Sequence, residues 1–203
     1  RIMKSLTFYW TDEINNRINN LNEFCDAFFN VTRLMRMINR YMVLSEVDKT
    51  LIVMRPYQIF ATEALLRRAL DTNQGGFIFH TTGSGKTLTS FKCAQLLTRE
   101  EKIKKVFFLV DRSDLDTQTM QEFNRFQEGC VDATDRTDVL VKQIKDKNNK
   151  LICTTIQKMA IAIKNKRYEK IMEEWAEEKV IFIIDECHRS QFGKMHNDVK
   201  KFF

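Results

Sequence analysis

Short apolar runs alternate with helical patterns over the larger, C-terminal part of the chain. Four runs are rich in β-branched and aromatic residues and carry few charges: Phe77–His80, Lys105–Asp111, Leu151–Thr154 and Val180–Asp185. Continuous apolar runs of this length predict strands that are buried on both faces of a parallel sheet.

Helical spacing of apolar residues fills the intervals between these predicted strands. The helical positions are Ile59, Leu66 and Leu70, then Leu88, Phe91, Ala94 and Leu97, then Leu115, Met120 and Phe123 after the capping residue Ser113. The polar stretch 129–150 is expected to form a loop and one surface helix. Alternating strands and helices predict an α/β layered fold over residues 51–203.

Residues 1–50 differ in composition from the rest of the chain, because they contain neither glycine nor proline. One apolar series, capped by Thr11, runs at helical spacing through Ile14, Ile18, Leu21, Cys25 and Phe28, and a second series runs from Val31 to Tyr41. These patterns predict two helices. Packing or docking is the favoured role of these helices, because the pattern is too short to favour a coiled coil.

Composition adds three constraints. The 203 residues suffice for one or two domains, and no apolar run approaches the ~20 residues of a membrane span. The five cysteines form no C-x-x-C pair, which favours a reducing compartment over a disulfide framework or a zinc site. The net charge of +6 permits nucleic-acid binding without establishing it, since solvated lysines also produce such a charge.

A glycine-containing loop follows the first predicted strand. His80-Thr-Thr-Gly-Ser-Gly-Lys-Thr87 fits the phosphate-loop pattern G-x-x-x-x-G-K-[ST] at its last three positions, while His80 stands where the first glycine is expected. A residue at a strand end can keep extended dihedrals, so a histidine is tolerable there and is interpreted as a packing residue.

The chemistry of such a loop assigns its residues. Backbone N–H groups of the loop and of the following helix would hold ATP phosphates, and Lys86 would reach the β- and γ-phosphates. The Thr87 hydroxyl would bind Mg²⁺. The predicted nucleotide-binding residues of the loop are Thr82, Gly83, Ser84, Gly85, Lys86 and Thr87.

Two carboxylates follow the last predicted strand. Asp185 emerges at the end of an apolar run, where it can bind Mg²⁺, and Glu186 can orient or deprotonate the attacking water. Asp185, Glu186 and Lys86 are therefore the predicted catalytic residues.

Asp185-Glu-Cys-His188 resembles motif II of superfamily 2 helicases and translocases. Arg55-Pro-Tyr-Gln58 resembles the Q motif of that family, which implies that Gln58 and Arg55 contact adenine. Val110–Leu115 resembles motif Ia and Thr154–Lys158 resembles motif Ib. These likenesses imply DNA contacts by Arg112, Thr155, Gln157 and Lys158, and they imply that His188 couples the site to the rest of the motor.

The five motifs together resemble the motor (R) subunit of type I restriction enzymes, a family in which the loop usually opens with histidine. The resemblance implies a RecA-like P-loop domain with a central parallel sheet over residues 51–203 and an α-helical linker over residues 1–50. It further implies ATP- and Mg²⁺-dependent translocation along double-stranded DNA before cleavage, methylation and specificity subunits as partners, no membrane, and a prokaryotic cytoplasmic location.

Residues 1–50 hold no convincing nuclease core, and we expect the nuclease domain and a second RecA-like domain to lie outside these 203 residues. We therefore expect the segment alone to hydrolyse ATP barely. One alternative is another superfamily 2 DNA or RNA helicase or remodeller. An alternative of another class is a non-catalytic nucleotide-binding scaffold.

Overall fold

A computed structural model describes the residues 8–45, 49–81, 83–110, 136–184, 197–199 and 201–203. The chain divides into two units, residues 1–92 and residues 93–203. The predicted domain boundary at residues 50 and 51 stays a prediction.

Two asparagine-capped helices stand near the start of unit 1: α1 (Leu21–Phe28) and α2 (Val31–Arg40). The Asn20 side chain accepts hydrogen bonds from two backbone N–H groups of the first turn of α1, and Asn30 does the same for α2. An asparagine in this position satisfies donors that have no partner within the helix. The second predicted helix is thus confirmed.

The predicted start of the first helix at Thr11 is wrong. Thr11 instead forms an antiparallel bridge with Arg17. The Asp12 carboxylate accepts hydrogen bonds from the backbone N–H groups of Ile14 and Asn16, at 3.1 and 2.8 Å, and Asn15 adopts a left-handed φ of 67°. Asp and Asn side chains stabilise turns in this way, which overrides the helical spacing of the apolar residues.

A β-hairpin that the sequence did not predict joins these helices to the next one. Strand β1 (Met42–Ser45) pairs antiparallel with β2 (Thr50–Val53), with Met42 opposite Val53 and Ser45 opposite Thr50. Helix α3 (Pro56–Asp71) follows, with its proline in the first turn, where the missing N–H costs no helical hydrogen bond. The described part of residues 1–50, which the sequence predicts to be an α-helical linker, thus contains strand β1 and the first residue of β2 in addition to α1 and α2.

The predicted strand at Phe77–His80 is wrong, because the structure has no strand there. Phe77 and Phe79 are 86% and 87% exposed. A run of apolar residues forms a strand only where a neighbouring strand supplies hydrogen bonds, and no strand of the described residues pairs with this run. Helix α4 (Lys86–Leu97) then begins where the sequence predicted it.

Unit 2 contains a parallel sheet of three strands, β3 (Lys105–Val110), β4 (Leu151–Thr155) and β5 (Val180–Ile184), in the order β4-β3-β5. Val106 lies opposite Leu151 on one side and opposite Ile181 on the other. All six residues of β3 are buried, as expected for a central strand covered on both faces. Three of the four predicted strands and the α/β class are thereby confirmed.

Three helices pack on this sheet: α5 (Thr137–Lys145), α6 (Ile156–Lys164) and α7 (Glu169–Ala176). Helix α5 lies in the stretch predicted as a surface helix, yet Leu140, Val141 and Ile144 are buried in the core of unit 2. The core also contains Phe107 of β3 and Met172 of α7. The predicted helix after Ser113 lies outside the described residues.

A buried lysine side chain lies at the start of β3. The Lys105 ammonium donates hydrogen bonds to the carbonyl oxygens of Gln143, Asp146 and Asn149, at 3.2, 2.9 and 3.0 Å. It also lies 4.5 Å from the centre of the Trp175 ring. These contacts satisfy carbonyls at and beyond the end of α5, where a helix leaves its last acceptors without partners.

Candidate functional site

The loop between His80 and Thr87 is organised by its own turn and by two glycines. Ser84 donates to the Thr81 carbonyl twice, through its backbone N–H at 3.3 Å and through its hydroxyl at 2.7 Å. Gly83 and Gly85 have φ angles of +73° and +80°, in the left-handed region that side chains rarely adopt. The loop conformation therefore explains why the sequence has glycine at both positions.

Helix α4 begins directly after the second glycine, at Lys86. The Gly85 carbonyl accepts hydrogen bonds from the backbone N–H and the hydroxyl of Thr89, both at 3.1 Å. Ser90 donates to the Lys86 carbonyl at 2.8 Å. Lys86 and Thr87 thus occupy the first turn of a well-anchored helix, where backbone N–H groups and the helix dipole favour an anion.

The first turn of α3 supports the loop from one side. Tyr57 donates its hydroxyl to the Ser84 carbonyl at 2.7 Å, and Gln58 donates its side-chain amide to the same oxygen at 2.9 Å. The Gln58 side-chain oxygen accepts the Arg55 N–H at 2.8 Å, and Gln58 is only 4% exposed. Gln58 therefore contacts the loop in this structure, and its contact with adenine stays a prediction.

Tyr57 is a residue that sequence reasoning did not assign. Its position next to Gln58 in Arg55-Pro-Tyr-Gln58 was the available signal, but the motif alone gave no reason to single out the hydroxyl. Arg55 is exposed, and it lines the same cleft as residues of the loop.

His80 packs against Tyr57, with ring centroids 5.8 Å apart and an interplanar angle of 65°. Burial lowers the pKa of His80, and the positive charge of Lys86 lowers the pKa further. Both effects favour a neutral ring. Among the described residues, only Asn15 and Lys49 combine a side chain with a positive φ. His80 therefore needs no glycine-like backbone, in line with its predicted packing role.

A cleft of about 770 Å³ opens beside the loop within unit 1. Polar and charged groups from α3 face aromatic rings and the loop backbone, and the lining includes Arg55, Tyr57, Phe60, Glu63, Arg67, Thr81, Gly83 and Ser84. A volume of this size is within the usual range for a small-molecule site.

The loop fits the phosphates of a nucleotide. A Cβ on Gly83 would meet no atom of the described residues within 4 Å, so these residues leave the loop backbone open to an approaching group there. Thr87 and Lys86 lie in the first helical turn next to this opening. Thr82, Arg112, Asp185, Glu186 and His188 lie outside the described residues, so their predicted roles stay predictions.

The segment predicted to contact DNA lies at the end of β4 and the start of α6. The Thr155 hydroxyl accepts a hydrogen bond from the Lys158 N–H at 3.2 Å and so caps α6. Thr155 and Lys158 are 5% and 8% exposed, whereas Gln157 is half-buried. The structure therefore gives Thr155 a capping role that the sequence did not predict, and DNA contact by these three residues stays a prediction.

No helix among the described residues is long and apolar enough to cross a membrane.

Comparison with known proteins identifies relatives along the whole chain. Residues 57–203 match the SWI2/SNF2 ATPase family. A type I restriction enzyme endonuclease subunit of Staphylococcus saprophyticus is 56% identical over the full chain, and one of Staphylococcus aureus is 54% identical. The chain spans 22% of the length of these two relatives.

A Mycoplasma pneumoniae protein matches this chain almost end to end. It is described as the C-terminal part of a putative type I restriction enzyme endonuclease subunit, and it is 41% identical over 96% of this chain and 99% of its own length.

Proposed function

The chain belongs to the endonuclease subunits of type I restriction enzymes, with residues 57–203 in the SWI2/SNF2 ATPase family, and from this premise we propose that it contributes the first RecA-like motor domain of a DNA translocase. Residues 1–50 form the linker that precedes this motor. The parallel sheet of unit 2 supports a RecA-like fold, because such domains are built on a central parallel sheet.

The observation that carries the proposal is the phosphate loop itself. Two glycines with positive φ lead into Lys86 at the first turn of α4, and the turn is held by hydrogen bonds on both sides. Lys86 contacts the β- and γ-phosphates of ATP, and the backbone N–H groups of residues 82–87 surround them.

The remaining steps of hydrolysis need a metal and a positioned water. Thr87 and Asp185 are the residues of this chain that would hold Mg²⁺. The metal would supply positive charge that neutralises the negative charge developing on the phosphates during transfer. Glu186 orients the attacking water and takes its proton. Arg55 and Gln58 contact the adenine.

Hydrolysis drives translocation along double-stranded DNA in the intact protein. Arg112, Thr155, Gln157 and Lys158 contact the DNA, and His188 couples the nucleotide site to the rest of the motor. The motor works in a complex with methylation and specificity subunits in the prokaryotic cytoplasm, and DNA cleavage follows translocation.

Replacement of the water-positioning carboxylate tests this function. We expect Glu186→Gln in the full-length protein to bind ATP and to lose at least about 100-fold in DNA-stimulated hydrolysis, which is a typical contribution of a positioned acid–base group. Hydrolysis that is unchanged in this variant would indicate a nucleotide-binding scaffold. Stimulation by RNA rather than by duplex DNA would indicate another kind of superfamily 2 motor.

A further inference from the structure

One carbonyl of the phosphate loop receives two side-chain hydrogen bonds from α3. The Ser84 oxygen accepts the Tyr57 hydroxyl at 2.7 Å and the Gln58 amide at 2.9 Å. The Gln58 side chain is itself held at its other end, since its oxygen accepts the Arg55 N–H at 2.8 Å. Two donors from one helix, one of them anchored at both ends, therefore orient this carbonyl.

A carbonyl held in this way also fixes the amide that follows it. The Ser84–Gly85 peptide is trans, and in a trans peptide the N–H group points away from the C=O group. The Gly85 N–H is therefore directed away from Tyr57 and Gln58. On the other side of Gly85, its carbonyl accepts two hydrogen bonds from Thr89, so both peptide planes of this glycine are held.

The contact between α3 and the loop is so close that a side chain at Gly85 would displace the Gln58 amide. A Cβ at this position would overlap the Gln58 side-chain nitrogen. The support from α3 therefore lies directly against the residue that precedes Lys86.

We propose that Tyr57 and Gln58 are positioning residues that hold the Ser84–Gly85 peptide with the Gly85 N–H directed at the phosphates of the nucleotide. Donors that are oriented before the ligand arrives bind an anion without the cost of turning the peptide. The inference rests on the proposed nucleotide-binding function and adds to it a role for the Tyr57 hydroxyl.

Tyr57→Phe in the full-length protein removes this hydroxyl and keeps the ring that packs on His80. The matched control is Tyr9→Phe, which removes a hydroxyl from an exposed tyrosine whose ring contacts Arg17. Dissociation constants are measured for Mg-ADP and for Mg-pyrophosphate, which has phosphates but no base. We expect Tyr57→Phe to weaken both ligands by the same factor, about threefold to tenfold, with an unchanged melting temperature. Tyr9→Phe should bind both ligands as the unaltered protein does.

Equal weakening of both ligands separates a loop-positioning role from a base-contacting role. Weakening of Mg-ADP alone would overturn the inference, because Tyr57 would then act on the nucleoside. Unchanged binding of both ligands, with binding lost in Lys86→Ala, would also overturn it and would leave the proposed function standing. Nucleotide binding that does not respond to Lys86→Ala would overturn the proposed function together with the inference.

A second variant tests the same inference in case Tyr57→Phe impairs folding. Gln58→Met removes the other donor to the Ser84 carbonyl. If Tyr57→Phe lowers the melting temperature, Gln58→Met at an unchanged melting temperature should weaken Mg-pyrophosphate, and it should weaken Mg-ADP by at least as much because Gln58 is also proposed to contact the adenine. Unchanged binding of Mg-pyrophosphate in Gln58→Met would then overturn the inference.

Discussion

Two apolar runs with similar sequences have opposite environments in this protein. Phe107 and Phe108 of β3 are fully buried between two neighbouring strands, whereas Phe77 and Phe79 before the phosphate loop are almost fully exposed. Both runs are rich in phenylalanine and aliphatic residues. The difference shows that the environment of such a run depends on available pairing partners, because apolar composition alone supplies no hydrogen-bond ladder.

The two regions also differ in what maintains them. The sheet of unit 2 is held by parallel ladders and by a core that includes Phe107, Leu140 and Met172. The phosphate loop is held by a few hydrogen bonds from Tyr57, Gln58 and its own turn. Substitutions in the first region should therefore reduce stability, and substitutions in the second should chiefly reduce nucleotide binding.

The largest expected effect is the loss of a buried ring from β3. We expect Phe107→Ala to lower the free energy of unfolding by about 3–5 kcal/mol, since it leaves a cavity in the core. Phe77→Ala should change it by less than about 0.5 kcal/mol, as is usual for exposed positions. Urea denaturation of both variants measures the difference, and a comparable loss in Phe77→Ala would contradict the exposed placement of residues 77–79.

A substitution in the phosphate loop tests the comparison in the second region. Gly85→Ala puts a side chain at a φ of +80° and against Gln58, so we expect a cost of about 1–3 kcal/mol and a loss of nucleotide affinity. Gly75→Ala is the control, because a Cβ there would meet no atom within 4 Å in the part of the chain that the structure describes. Calorimetric titration with Mg-ADP should show weaker binding in Gly85→Ala only. Equal affinity in the two variants would contradict the described loop conformation.

The buried cation at the start of β3 makes the sheet region respond to pH. Burial lowers the pKa of Lys105 to about 8, below its value in the unfolded chain, and the charge of Asp146 opposes this shift. The unfolded chain therefore binds this proton more tightly, and the stability of the folded protein should rise between about pH 8 and pH 10.

Comparison with Lys105→Met isolates this contribution from other groups that titrate in the same range. Urea denaturation gives the unfolding free energy of the unaltered protein and of Lys105→Met at each pH. The first value minus the second should increase as the pH rises, by less than about 1.4 kcal/mol per pH unit. A relative decrease would indicate that the three carbonyls and the Trp175 ring hold the charged form more strongly than burial opposes it.

The smallest expected effect concerns the end of β4. Thr155→Ala removes the cap of α6 and should cost about 1 kcal/mol, whereas Thr155→Ser keeps a hydroxyl and should cost less. Thermal unfolding distinguishes the two variants. If Thr155→Ala leaves stability unchanged but weakens DNA binding, the residue serves DNA rather than the helix.

The sequence predicted the elements that depend on local pattern. The strands β3, β4 and β5 were recognisable as buried runs, and α4 was placed correctly because glycine and Lys86 mark its start. The predictions were wrong where a polar side chain closed a turn, and where no described strand was available to pair with an apolar run. Asp12 closes a turn in place of the predicted helix start, and residues 77–80 pair with no strand of the described residues.

The site was predictable in its chemistry and less so in its contacts. Lys86 and the two glycines follow from the motif, because phosphate binding requires that backbone and that charge. The two hydrogen bonds to the Ser84 carbonyl join residues that are 26 and 27 positions apart in the chain, and only the folded structure shows such contacts.

The central claim is the proposed role of this phosphate loop as the ATP-hydrolysing site of a restriction motor, and the most direct measurement is ATP hydrolysis by the full-length protein together with the proposed methylation and specificity subunits. Linear duplex DNA that carries or lacks the recognition site is the substrate, and Lys86→Ala is the control. We predict hydrolysis that depends on the site and is lost in the variant. Hydrolysis that is stimulated by RNA, or by any DNA without the partner subunits, would contradict the account.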